Sequence, residues 1–249
     1  MAVRAVLFDL GDTLWHFPEL PPADEIRGET MRRIYALLRS WDVEPEGELR
    51  FLGRDIRLTV TEAVKQAYEG DFVEPDCPGI ARDDAAAKGL TISQEQAEQL
   101  WDAWNLGGAF LNRRLFDDAL HMLETIQQRG YRLGSVTNRT FGGPRFMEEV
   151  EDLGLASYFE VISISCDLGY MKPRAEIFEH ALEALSIEPQ EVVMVGDSLK
   201  ADVGGAQALG MTAVWRRLPK TREEVDGIQP DFIIDELSEI PDLPCFRPD

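Results

Sequence analysis

Positive charge is what this sequence lacks most: 25 Lys and Arg stand against 46 Asp and Glu, a formal net charge of −21. Phosphate backbones are held by basic patches, so no nucleic-acid partner is expected. The acidity reads as a solvated, soluble surface. Cysteine is scarce as well. Cys77, Cys166 and Cys245 lie far apart, are odd in number and follow no metal-ligand spacing. Reduced thiols are expected, which fits a cytoplasmic location. No apolar run nears the ~20 residues needed to cross a bilayer, so no membrane association is expected. The N-terminus runs straight into a strand-like stretch, so no signal peptide is expected. The sequence holds no internal repeat and no low-complexity tract.

What is present is enough apolar residue for a real core, 44% over 249 residues, room for one large domain or two modest ones. The organising stretch is Val3–Leu14, V-R-A-V-L-F-D-L-G-D-T-L. Its short apolar run ends abruptly at Asp9, as a buried parallel strand does when it presents a carboxylate at its C-terminal tip. In open α/β sheets that tip is where ligands bind.

After Leu14 the character changes. Pro18, Pro21 and Pro22 break the chain, and Asp24 is a candidate helix N-cap. Ile26, Thr30, Met31, Ile34, Tyr35, Leu38 and Trp41 then recur at helical spacing, as do Leu49, Leu52, Ile56, Val60, Val64 and Ala67. Gly70–Ile80, with Pro75, Pro78 and Gly79, reads as a loop before a short helix over Asp83–Lys88. Ser93 with Gln96 resembles a capping box opening a further helix. From Phe116 onward strands and helices alternate: helices over Asp118–Gln128, Pro144–Leu153, Arg174–Leu185 and Lys200–Leu209, and strands over Tyr131–Thr137, Val161–Ile164, Glu191–Val195, Met211–Trp215 and Asp231–Ile234. Such alternation implies right-handed crossovers and a parallel, helix-flanked sheet. The expected architecture is an α/β Rossmann-like core, residues 1–16 and 116–249, interrupted by an all-helical insertion over 17–115.

Three later stretches carry candidate chemistry. G-S-V-T-N ends in Thr137 and Asn138; a hydroxyl at a strand tip can donate to an oxyanion, or simply cap the next segment. G-Y-M-K-P places Lys172 in a turn before a helix, where an ammonium can offset phosphate charge or face solvent. V-V-M-V-G-D-S-L-K-A-D ends a strand at Gly196 and Asp197, with Asp202 five residues on. Two strand-tip carboxylates form a hard, oxygen-rich site suited to Mg²⁺. Asp202 can reach that site, hold Lys172, or complement a helix dipole. Trp15 and His16 could line a pocket or form a linker, and Arg139 could meet an anionic substrate or solvent.

In this order the stretches resemble the motifs of the haloacid dehalogenase superfamily of aspartate-nucleophile hydrolases, in its phosphoglycolate-phosphatase and haloacid-dehalogenase-like branch, over nearly the whole chain. The resemblance implies a helical cap inserted after the first strand and covering the pocket. It implies Asp9 as the nucleophile forming an aspartyl-phosphate. It implies Mg²⁺ held by Asp9, Asp197 and the Gly11 carbonyl with Asp202 at the edge, and phosphoryl oxygens held by Thr137, Asn138 and Lys172. One departure matters. The common D-x-D-x-T reads D-L-G-D-T here, so Gly11 stands where relatives carry the general acid/base, a group worth ~10²–10⁴ in rate. Asp12, one residue late, could substitute or merely shape the turn. The expectation is a Mg²⁺-dependent phosphatase for a small-molecule phosphoester, slowed by the missing acid. The alternatives are a 2-haloacid dehalogenase and a non-catalytic ligand-binding protein.

Overall fold

The computed structural model describes residues 2–219 and 227–246. Strands are β1 (Ala5–Phe8), β2 (Trp15–His16), β3 (Arg114–Leu115), β4 (Arg132–Thr137), β5 (Val161–Ile164), β6 (Val192–Gly196), β7 (Thr212–Arg216) and β8 (Phe232–Ile234). Helices are α1 (Ala23–Ser40), α2 (Leu52–Glu69), α3 (Cys77–Ala87), α4 (Gln94–Trp104), α5 (Ala119–Gln128), α6 (Gly143–Asp152), α7 (Ser165–Leu168), α8 (Ala175–Leu185) and α9 (Gly205–Ala208). Six strands form one sheet in the order β5-β4-β1-β6-β7-β8, and every neighbouring pair is parallel. The β1 strand is central, paired to β4 through Phe8↔Ser135 and to β6 through Phe8↔Val195. Asp9 and Thr137, and Asp9 and Asp197, therefore emerge at neighbouring tips.

Side chains of a strand alternate between faces, and both faces of this sheet are covered. Val6 and Phe8 enter one apolar cluster with α5 and α6 residues such as Leu123, Ile126 and Phe146. Ala5 and Leu7 enter the other, with Ile177, Phe178 and Ala181 of α8. This explains why V-L-F is continuously apolar. Burying each such large side chain is worth about 1.5–3 kcal/mol. Gly134 is required by close packing: a Cβ there would stand 2.8 Å from Leu7 Cδ2 and 2.9 Å from Val161 Cγ1.

The chain divides into two compact units, Met1–Phe17 with Arg113–Asp249, and Pro18–Asn112. The first holds the sheet. It also holds a short antiparallel pair, β2 with β3 (Trp15↔Leu115), that the sequence pattern did not announce. The second unit is helical. There α4 opens on the Ser93–Gln96 capping box. Two expectations shift. The first helix begins at Ala23, after Pro22, so Asp24 lies inside its first turn rather than capping it. The third helix begins at Cys77 rather than near Asp83. Asp76 caps it by accepting from the Gly79 amide, and Pro78 sits in the first turn, where its missing N–H leaves no bond unmade. Among the described residues no helix is long and apolar enough to cross a membrane, and all three cysteines are free.

Candidate active site

The site is assembled at the C-terminal tips of β1, β4 and β6. Its centre is Lys172, 2% exposed. The ammonium donates to Asp9 Oδ1 at 2.6 Å, to Asp202 Oδ1 at 2.7 Å and to the Val136 carbonyl at 2.7 Å. All three ammonium protons are therefore used. Burial works against this charge, but Asp202 and Asp9 outweigh it and hold the pKa above the ordinary lysine value. Asn138 fixes the turn that delivers Lys172. Its Oδ1 accepts from the Lys172 amide at 2.7 Å and its Nδ2 donates to the Lys172 carbonyl at 3.1 Å.

Asp202 sits in a wide π-turn, Leu199–Gly204, a feature frequent at functional sites. Its second oxygen accepts from the Ser198 amide at 2.9 Å. It can press against the β6 tip only because residue 196 is glycine: a Cβ on Gly196 would stand 2.2 Å from the Asp202 carboxyl carbon. Asp197 turns away from the strand on a backbone pinned by Trp215, whose indole N–H donates to the Asp197 carbonyl at 2.8 Å.

One carboxylate oxygen from each of Asp9, Asp197 and Asp202 lies within 4.8 Å of the others. Three carboxylates facing one ammonium leave an excess of negative charge. Burial, with Asp9 and Asp202 adding repulsion, pushes the Asp197 carboxyl up to about 8. Asp202 rises to about 6, burial outweighing the opposing pull of Lys172. A hard, all-oxygen donor set with surplus negative charge fits a divalent cation such as Mg²⁺, which could be held by Asp9 and Asp197 with Asp202 beside them. Asp202's oxygens already accept from Lys172 and Ser198. The Asp197 carboxylate and the second oxygen of Asp9 accept no hydrogen bond among the described residues.

The remaining expected residues are placed less uniformly. Thr137 is buried at the β4 tip, its hydroxyl donating to nothing among the described residues. Gly11 lies in the turn after β1, bridged to Trp15. Asp12 is exposed, adopts the left-handed conformation (φ 54°), and stands outside the carboxylate cluster. Asp tolerates that conformation better than most residues, which accounts for it at the turn. Sequence reasoning missed Ser198 and Arg216. The Arg216 guanidinium, buried at the β7 tip, donates through Nη1 to the carbonyls of Asp12 and Thr13. An arginine closing the apolar run T-A-V-W was the available signal.

Residues 3–210 match the haloacid dehalogenase-like hydrolase family. The chain is 30% identical to a ribulose-1,5-bisphosphate 5-phosphatase from Halopiger xanaduensis, over 96% of this chain and 98% of that protein. It is 26% identical to a glyceraldehyde 3-phosphate phosphatase from Methanopyrus kandleri, over 97% of each. The crystal structure of a 2-haloacid dehalogenase from Pseudomonas syringae pv. Tomato superposes with a TM-score of 0.66 at 25% identity, covering 96% of this chain and 97% of that one. A family match spanning most of the chain, on a parallel sheet that brings Asp9, Lys172, Asp197 and Asp202 together, leads to one conclusion: the chain belongs to the haloacid dehalogenase-like hydrolases.

Proposed function

We propose that this protein is a Mg²⁺-dependent phosphatase acting on a small phosphorylated metabolite through an aspartyl-phosphate on Asp9, with the helical unit Pro18–Asn112 as its specificity cap. The observation that carries the reading is the buried Lys172 ammonium bound to both Asp9 and Asp202, with the Asp197 carboxylate alongside. Relatives aligned over nearly their whole length, the ribulose-1,5-bisphosphate and glyceraldehyde 3-phosphate phosphatases, support the substrate class.

In this mechanism Asp9 attacks phosphorus with the carboxylate oxygen that Lys172 does not hold. An O–P bond forms as the ester P–O bond breaks, and the released alcohol oxygen takes up a proton. Water then attacks phosphorus, restoring the Asp9 carboxylate and releasing phosphate. Lys172 offsets the repulsion between carboxylate and phosphoryl group, and Thr137 offers its hydroxyl to a phosphoryl oxygen. Asn138 acts by holding the Lys172 backbone in place. A cation held by Asp9, Asp197, the Gly11 carbonyl and Asp202 would supply further neutralisation of phosphoryl charge. No carboxylate stands at position 11 to protonate the leaving oxygen, so esters of acidic alcohols and acyl phosphates react fastest.

The test is phosphate release from a panel of aryl and alkyl phosphates with and without Mg²⁺. Turnover requires the cation, is lost in Asp9→Asn, and leaves a phosphoryl group on Asp9 detectable by rapid-quench mass spectrometry. Retained turnover in Asp9→Asn would sink the mechanism. The likeness to the Pseudomonas syringae enzyme favours one other reading, 2-haloacid dehalogenation. Halide release that survives excess chelator is its signature. Mg²⁺-dependent ligand binding without turnover of any ester would instead make the protein a binding member of the family.

A further inference from the structure

Beside the Asp9 cluster, wholly inside the sheet-bearing unit, stand two donors the mechanism above leaves unused. The indole of Trp15 is 0% exposed, yet its Nε1 has no hydrogen-bond partner among the described residues. That nitrogen is 3.9 Å from where a Cβ on Gly11 would stand, two positions past Asp9. Buried donors are nearly always paired, so an orphan next to reactive groups calls for an acceptor. The second donor is Arg139, which follows Thr137 and Asn138 at the β4 tip. Its guanidinium carbon lies 4.2 Å from the Phe146 ring centroid and 5.7 Å from that of Trp15. Its backbone is held at both ends by Ser165, whose Oγ accepts from the Arg139 amide at 2.8 Å and donates to the Arg139 carbonyl at 3.2 Å.

The charges around this pair do not balance. Arg113 stacks on Trp15 at 4.6 Å and is matched by Glu149, Nη1 to Oε2 at 2.8 Å. Arg139 forms no ion pair among the described residues; only its Nε finds an acceptor there, the Phe141 carbonyl at 3.4 Å. Burial, with Arg113 adding repulsion, lowers its pKa to about 10, so it stays cationic at neutral pH. Aromatic faces hold the plane of the guanidinium and leave its in-plane N–H edge for an oxygen acceptor. A largely enclosed arginine with two unmatched amino groups, next to an orphan indole N–H, is preorganised for an anion.

Resting on the phosphatase reading, we infer that Arg139 and Trp15 form a second anion subsite next to the Asp9 phosphoryl site, and that the substrate is a phosphoester whose alcohol portion carries another anionic group, a carboxylate or a second phosphate. Arg139 neutralises that group and Trp15 Nε1 donates to one of its oxygens. Gly11 keeps a competing carboxylate out of the same space.

Calorimetric binding of phosphonates to the Mg²⁺-loaded protein tests this without turnover. Propylphosphonate is the single-charge probe. 3-Phosphonopropionate and propane-1,3-diphosphonate carry the carboxylate and second-phosphate arms. At least one arm binds tenfold or more tighter than propylphosphonate, and which arm wins identifies the second group. Arg139→Gln reduces that advantage below twofold, and Trp15→Phe, which keeps the stacked ring but loses the N–H, reduces it several-fold. Equal affinity for all three probes, or an undiminished advantage in both variants, overturns the subsite while leaving the phosphatase reading intact. Loss of phosphoester turnover and of all phosphonate binding in the parent defeats that reading and the subsite with it. If Arg139→Gln fails to fold, Trp15→Phe and the probe ranking in the parent decide alone.

Discussion

Arg216 Nη1 donates to the Thr13 carbonyl at 2.6 Å, joining the tip of β7 to the turn after β1 across 203 residues of sequence. The same nitrogen reaches the Asp12 carbonyl at 3.0 Å, and the guanidinium carbon lies 3.5 Å from the Phe116 ring centroid. The turn it grips is the one whose first residue is Asp9 and which contains the left-handed Asp12. Arg216 therefore acts on the site through backbone, by fixing where the turn that follows Asp9, the proposed nucleophile, can go.

Arg216→Met removes a charged donor from two carbonyls and leaves them unpaired beside the sheet. Bonds of this kind are worth about 1.5–3 kcal/mol each, so the melting temperature falls measurably. A nucleophile displaced by even a fraction of an ångström loses rate steeply, and kcat toward an aryl phosphate drops roughly 10- to 100-fold with KM changed far less. Arg216→Lys, which keeps the charge but lacks the stacked plane, recovers only part. Unchanged kcat in both variants refutes the positioning role.

Lys172→Met gives the opposite balance of effects. Two buried carboxylates, Asp9 and Asp202, lose their shared cation and the Val136 carbonyl loses its donor. Breaking a buried pair from one side is destabilising by about 3–5 kcal/mol, and here both carboxylates are stranded. Turnover vanishes and chemical denaturation shifts to lower denaturant. Because a bound cation would take up part of the stranded charge, Mg²⁺ restores more stability to Lys172→Met than it adds to the parent. A variant as stable as the parent in the absence of Mg²⁺ contradicts this account of the site's charge.

Much of this was legible in the chain. The apolar run into Asp9 and the apolar run into Gly196–Asp197 announced strand tips, and strand–helix alternation announced the parallel sheet that sets those tips side by side. Local patterns carry such information because periodicity and turn chemistry are local. Partners joined across the fold were not legible. Asn138 also holds the Lys172 backbone through its amide, a partner 34 residues away that nothing local to T-N announces. Arg216 sits 203 residues from Thr13 in sequence, so no spacing rule links them. The loop expected up to Ile80 ends early because Pro78 sits in the first turn of a helix that begins at Cys77 instead of preventing one, a start fixed by the Asp76 cap.

The carboxylate cluster makes stability and cation binding depend on pH in opposite directions. With no cation bound, Asp197 titrates near 8 and Asp202 near 6, both above the ordinary aspartate value of 3.8. Between 3.8 and those values the folded protein holds more protons than the unfolded chain, so this cluster's contribution to stability falls as pH rises through the window. Cation binding requires the ionised form, so affinity rises with pH up to about 8 and then levels. Melting temperatures measured with chelator and with Mg²⁺ at about pH 6 and about pH 8.5, on either side of the Asp197 titration, check both statements: the Mg²⁺-induced increase is larger at the higher pH. An increase independent of pH argues against proton-coupled binding at Asp197.

Position 11 accepts a Cβ without a clash, which makes the proposed lack of a general acid there directly testable. Gly11 has no left-handed φ, and a Cβ there meets nothing nearer than Trp15 Nε1 at 3.9 Å, an ordinary contact. Gly11→Asp therefore meets no obstacle at its Cβ, and its carboxyl gains an acceptor role toward that indole N–H. Where leaving-group protonation limits the rate, a positioned acid contributes about 10²–10⁴-fold, so alkyl phosphate turnover rises strongly while aryl phosphate turnover changes little. Asp12→Gly is the matched experiment. Glycine adopts the φ of 54° freely, so the backbone turn survives and only the carboxylate is lost. Because Asp12 is exposed and outside the cluster, its loss lowers alkyl phosphate turnover less than tenfold, on the order of a mild electrostatic change rather than the removal of an acid. A loss of a hundredfold or more, confined to alkyl esters, would instead make Asp12 the proton donor, reached by a movement of the turn that Arg216 holds.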